Sequence, residues 1–395
     1  MADFMLWGVV ASPYLLKMQS ILDYAEHKWQ RWPDQSTWPS GLKMMRNLNK
    51  ARKLGLVERF PERVAGMDEY PAVPFYTEDG AQFFYDSSGL ALHLDQHADR
   101  HESPLVPADP ALAFVCRLID EAFDEFGLYM VHHNRWVTSA KTNTMGIVTG
   151  GEMGKLLPVD IGKLVAWSMP KRQVRRCPYL FSVAPEGFEA GVSRALTPPS
   201  RQGFPATHKL LDTAWRNYLA AMEALLLQQP YLLGDRFTLA DASAYGQLSM
   251  NLIDGAAADL MRELAPTTYH WLCGIRDGSH ISGRGELYLG DCLNPLLGAI
   301  AETFIPLMQQ NAAAYADAVA GGETLFNEAA FDQGRALYRG ELMGHPFHAV
   351  AKSFQIPVWR DLCSGWSALE ESTRQQLAGQ FDGLDNKAFL VSAGA

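Results

Sequence analysis

A β-like run from Phe4 to Val10 meets Ser12-Pro13-Tyr14, and beyond that tripeptide the apolar residues fall at Leu15, Met18, Leu22 and Ala25. Spacing of three and four predicts a helix with one face turned to a core. The junction therefore combines a strand end, an N-cap and a helix start. A serine hydroxyl can accept a free N–H there, proline fits the first helical position, and the positive end of the helix dipole points at whatever lies beside the hydroxyl. An anion or a thiolate is stabilised at such a point.

Later segments extend the pattern. Tyr70-Pro-Ala-Val-Pro-Phe-Tyr76 carries a Val73-Pro74 step into a second β-like run, and after Asp79-Gly80 the run from Ala81 to Tyr85 ends at Asp86-Ser87-Ser88-Gly89. Leu90, Ala91 and Leu94 then follow at helical spacing, so Asp86-Ser87 predicts another strand-to-helix cap. Residues 33 to 70 form a proline-marked insert, and Asp99 to Pro110 predicts a linker. Val115, Leu118, Ala122 and Phe126 make a helical stripe. Residues 138–205, rich in Gly, Pro, Ser and Thr, predict a loop-rich insertion. Leu211, Ala214, Tyr218, Met222 and Leu225 predict another helix, and Thr238 with Asp241 is a capping box opening the next one. Further on, Leu297, Ile300, Phe304, Leu307 and Tyr315 predict a helix kinked at Pro306, and Trp359, Leu362, Trp366 and Leu369 mark another.

The order strand, helix, insert, hairpin, helix, followed by a helical half with a Thr-x-x-Asp box, resembles the cytosolic glutathione S-transferase superfamily. The resemblance covers roughly residues 4 to 97 and 111 to 276. It implies an α/β plus all-α fold: a thioredoxin-like domain over residues 1–98, an all-helical domain over 108–278 with the insertion at 138–205, and an added helical extension over 279–395.

The same resemblance assigns roles. Ser12 matches the serine that donates a hydrogen bond to the glutathione thiolate; the competing reading is a plain N-cap. Val73-Pro74 corresponds to the cis-proline step that presents main-chain groups to the cysteinyl part of glutathione. Asp86 and Ser87 match the acidic-serine pair that binds the γ-glutamyl group, against an ordinary cap. Tyr129, His132, His133, Arg135 and Trp136 fall at the end of the first helix of the second domain, where relatives often line the second-substrate site, and Tyr14, next to the Ser-Pro junction, is another candidate wall; the competing reading, commoner for histidines and aromatics at a helix end, is a structural residue. The expected function is a transferase that uses glutathione as co-substrate, without a metal, to attack a small hydrophobic or electrophilic molecule. The alternative is a non-catalytic scaffold. Metaxin-like and failed-axon-connections-like relatives share the Ser or Cys-Pro-Tyr start and a following lysine, here Lys17. Homodimers are the usual assembly, although the insert and extension could cover that face.

The chemistry is energetically within reach. Lowering a thiol pKa from about 8.5 by roughly two units takes about 2.7 kcal/mol. A helix N-terminus supplies about 0.3 to 1 kcal/mol and a hydrogen bond to a charged group about 1.5 to 3. No cysteine precedes Cys116, so thiol-disulfide exchange at the first helix is not expected.

Composition narrows the setting. The chain has 395 residues, 48% of them apolar, enough for two or three domains. No stretch reaches the roughly eighteen apolar residues of a membrane span, so no membrane partner is expected. No signal peptide is evident, and five scattered cysteines suit reduced thiols in a cytoplasm. A formal charge of −10 argues against nucleic acid. Lys171-Arg172-Gln173-Val174-Arg175-Arg176 is the local exception, either a solvated face or an electropositive rim.

Overall fold

Strand β1 (Phe4–Trp7) and helix α1 (Pro13–Tyr24) form where the sequence places them, with Pro13 at the first helical position and Leu15, Met18, Ile21 and Leu22 buried. The computed structural model describes residues 2–54, 57–59, 74–97, 103–156, 161–281 and 284–389. After α1 come β2 (Trp29–Trp32), α2 (Trp38–Lys53), β3 (Val57–Arg59), β4 (Phe75–Thr77), β5 (Phe83–Tyr85) and α3 (Ser87–His97). The sheet order is β2-β1-β4-β5-β3, with β1 parallel to β2, antiparallel to β4, and β4 antiparallel to β5. This is the thioredoxin-like arrangement expected, widened by β3, which runs parallel to β5 at the far edge.

The helical half begins with α4 (Pro110–Ala122), which passes through a π-type turn at Phe123–Gly127 into α5 (Leu128–His133) and a second π-type turn at Asn134–Thr138. Residues 138–205 are less irregular than their composition suggests. They contain α6 (Met145–Gly154) and α7 (Gly162–Arg175), and the glycines that weaken helix propensity allow the two to touch. A Cβ on Gly150 would lie 2.4 Å from the Gly162 carbonyl oxygen, and one on Gly146 would lie 2.6 Å from Pro170 Cγ.

Helices α8 (His208–Leu226), α9 (Leu239–Leu248), α10 (Gly255–Leu264) and α11 (Pro266–Arg276) follow. The Thr238 box is present: Asp241 Oδ2 accepts from Thr238 N at 2.9 Å, while Oδ1 accepts from Leu232 N at 2.8 Å. Helix α9 lies directly on α1 because Gly246 has no side chain; a Cβ there would stand 2.7 Å from the Pro13 carbonyl oxygen and 2.8 Å from Lys17 Cβ.

The extension holds α12 (Asn294–Glu302), α13 (Phe304–Ala320), α14 (Glu328–Gln333), β6 (Leu337–Leu342), β7 (His345–Val350), α15 (Gln355–Ala368) and α16 (Glu371–Gln380). Two expectations change here. The predicted kink at Pro306 is a break at Thr303, between α12 and α13, because Pro306 offers no N–H and its ring crowds the preceding turn. The extension is also not wholly helical, since β6 and β7 form a hairpin turned at Met343 and Gly344, whose φ values are 51° and 73°.

The extension packs on the helical half. Phe114 of α4 lies 5.1 Å from the ring centres of both Trp366 and Phe389, and Phe347 of β7 packs on Phe181, which stacks on Tyr129.

Candidate functional site

Strand pairing brings three junctions to one end of the sheet. Trp7 pairs with Phe75 and Tyr76 with Phe84, so the end of β1, the start of β4 and the end of β5 coincide. Residues 8–12, Pro74 and Asp86-Ser87 continue from those ends. A Cβ on Gly8 would lie 3.3 Å from Pro74 Cβ, which seats the proline against the β1–α1 loop. Val73 lies outside the described residues, and with it the Val73–Pro74 bond.

Ser12 is the N-cap of α1, with φ −96° and ψ 120°, yet its hydroxyl makes no capping hydrogen bond. Its backbone N–H donates to the Val9 carbonyl at 2.9 Å. The loop before it is clamped from the helical half. Glu152 Oε2 of α6 accepts from Val10 N at 3.0 Å, and Arg135 donates to the Ala11 carbonyl at 3.5 Å. Arg135 is itself fixed by Asp254 at 2.7 Å and by the Met250 carbonyl. Trp136 packs with Met145, Val174 and Cys177 against Val10 and Ala11.

Asp86 turns the chain with φ 83° and caps α3: its Oδ1 accepts from Ser88 N at 3.0 Å and Gly89 N at 3.1 Å. Non-glycine residues at positive φ cost about 1 to 3 kcal/mol and cluster at functional sites. The ordinary-cap role is thus filled by Asp86, and the buried Ser87 hydroxyl takes no part in it.

Beneath these junctions lies a buried charge cluster that sequence spacing did not disclose. Lys17 Nζ donates to Asp120 at 2.5 Å, Asp124 at 2.7 Å and Ser88 Oγ at 2.7 Å, and Ser243 Oγ donates to Asp120 at 2.6 Å. Arg117 adds Asp120 at 2.8 Å and Glu121 at 2.5 Å. Burial works against the Lys17 charge, but Asp120 and Asp124 outweigh it and hold the ammonium above the usual lysine range. Burial drives the Glu121 and Asp124 carboxyls upward. The cluster ties α1, α3, α4 and α9 together under the sheet end.

The residues expected to line a second-substrate site divide. Tyr14 donates its hydroxyl to the Asp124 carbonyl at 2.9 Å, which makes it a brace between α1 and the first π-type turn. Tyr129 is buried and its hydroxyl accepts from Lys352 Nζ at 2.7 Å, while Gln355 donates to Glu125 at 3.0 Å. Lys352 and Gln355 come from the extension, and no motif marks them. His133 turns away, its Nδ1 2.8 Å from Ser182 Oγ and its ring 4.7 Å from that of His208. Burial pushes the His132 imidazole down to about 3 and His133 well below its ordinary value, so both stay neutral. Neither is poised as a proton donor near neutrality.

Burial lifts the Glu125 carboxyl from 4.5 to about 7 against the opposing Gln355 bond. A raised carboxyl contributes stability that is fully present below the ordinary carboxylate range and is lost as pH rises through the folded value. Glu125→Gln removes that loss, so the melting temperature of the variant relative to wild type rises between about pH 5 and pH 8. Parallel curves for the two proteins would disprove the assignment.

A cavity of about 300 Å³ runs along the Leu16, Ser20 and Asp23 side of α1 against Trp29, Tyr245 and Ile275; none of the expected site residues lines it. Among the described residues no group of histidine, cysteine or acidic side chains could hold a metal ion, and no helix is long and apolar enough to cross a membrane.

Residues 201–250 match the family model described as glutathione S-transferase, C-terminal domain. No curated protein shows significant sequence similarity. The chain is similar to the solved glutathione S-transferase of Ceriporiopsis subvermispora in complex with glutathione, with 14% identity over 70% of this chain and 97% of that one and a TM-score of 0.40. A glutathione S-transferase from Rhodospirillum rubrum gives 16% identity, 70% and 90% coverage, and a TM-score of 0.39. The beta-etherase from Sphingobium gives 17%, 71% and 97%, and 0.40. The family-model match spans the Thr238 box, and over residues 201–250 it supports the glutathione S-transferase superfamily.

Proposed function

We propose that the protein is a glutathione-dependent transferase in which Ser12 holds the sulfur of glutathione as thiolate for attack on a small electrophile. The observation that carries this reading is the Ser12 hydroxyl, which stands at the mouth of α1 without capping it. A ligand sulfur placed there would meet an O–H donor and the positive end of a helix dipole. Pro74 beside the loop suits the cysteinyl backbone of the tripeptide. Ser87, at the first position of α3, suits the γ-glutamyl carboxylate, while Asp86 already serves Ser88 and Gly89.

A reduced cytoplasmic setting is proposed on the odd number and wide scatter of the five cysteines along the sequence. The electrophile would approach between the Ser12 loop and the first π-type turn, where Tyr14 and Glu125 remain partly exposed. A homodimer is proposed on family grounds alone.

Thermal shift and glutathione-agarose retention test the reading. Millimolar glutathione is expected to raise the melting temperature and to elute the protein from the resin. Absence of both effects would transfer the fold to the non-catalytic scaffold reading.

A further inference from the structure

Among the described residues, helix α7 packs along one side. Gly162, Ala166 and Pro170 face α6, where Gly146 and Gly150 admit them. Successive steps of 100° put Leu164, Trp167, Lys171 and Arg175 on the other side, with Lys163 at its border. There Trp167 is 63% exposed and Leu164 62%, among the most exposed large apolar side chains of the molecule. Lys171 Nζ sits 3.4 Å above the Trp167 ring.

The charge of this segment opposes that of the chain. Residues 161–180 carry five cations and no acid, in a protein of formal charge −10. Arg176 is tied to Glu328 at 2.8 Å, whereas among the described residues no carboxylate pairs with Lys163, Lys171, Arg172 or Arg175.

We propose that this face of α7 docks on an anionic lipid surface, with Trp167 and Leu164 entering the headgroup boundary and the flanking cations meeting the lipid phosphates and carboxylates. Tryptophan and leucine ringed by lysine and arginine are the composition of a helix lying in the interface plane. The core of a protein–protein interface is instead depleted of lysine, and here a cation stands within one turn of each apolar side chain. The attachment is peripheral, which agrees with the lack of a spanning helix among the described residues. It is independent of the glutathione reading.

Co-sedimentation of the full chain with vesicles tests it. Wild type is expected to pellet with phosphatidylserine-containing vesicles at low salt, to stay in solution with phosphatidylcholine alone, and to be released by high salt. Trp167→Ala with Leu164→Ala, and separately Lys171→Glu with Arg175→Glu, should each lower partitioning by about tenfold or more. All four side chains project away from the packed side, so unfolding midpoints should not change. Equal binding by wild type and both variants, or none by wild type, overturns the proposal. A fall in oligomer size on Trp167→Ala, read by light scattering, would overturn it too, by giving the face to a second copy of the chain.

Discussion

Replacing Lys17 by methionine lowers the unfolding free energy by about 3–5 kcal/mol, because it leaves Asp120 and Asp124 buried without their cation. The side chain is 1% exposed, so water cannot take over its role. Adding Asp124→Asn to the variant removes one uncompensated carboxylate and recovers part of the loss. Denaturant midpoints measure both steps. A loss under about 1 kcal/mol for the single variant would mean that the four elements are held by packing alone and that the charge cluster is incidental.

Under the proposed role of Ser12, Ser12→Ala gives the second large effect, on rate instead of stability. Removing a hydrogen bond to a charged sulfur is worth about 1.5–3 kcal/mol, a fall of about tenfold to 150-fold in kcat/KM toward an activated aryl halide. The pKa of bound glutathione, followed by thiolate absorbance, should rise by about one to two units. Stability should change by no more than about 0.5 kcal/mol, since the hydroxyl does not cap α1. A capping serine would behave in the opposite way, with about 0.5–2 kcal/mol of stability lost and the thiolate unaffected.

Local chemistry made part of this molecule readable in advance. Ser12-Pro13, Asp86-Ser87 and the Thr238–Asp241 box are each set within a few residues, where caps and periodicity act, and each stands at the junction expected. The Lys17 cluster was not readable, because its partners come from α3, α4 and α9, and contacts across such separations leave no periodic trace. Lys352 and Gln355 were hidden for the same reason. Helix α6 was missed for a different one. Its glycines signal loop by propensity, and only the close approach to α7 shows why they are tolerated in a helix. The histidines at the end of α5 mark the limit of reading residue types, since His133 serves Ser182 and His208.

The aromatic contacts of Phe114 bear on how the chain matures. That residue lies in the first turns of α4, and the rings that cover it, Trp366 and Phe389, come from far later in the chain. Until residue 389 has left the ribosome, Phe114 lacks two of the rings it packs on in the fold. Nascent chains stalled before residue 366 should therefore recruit holdase chaperones, and released chains that include residue 389 should shed them.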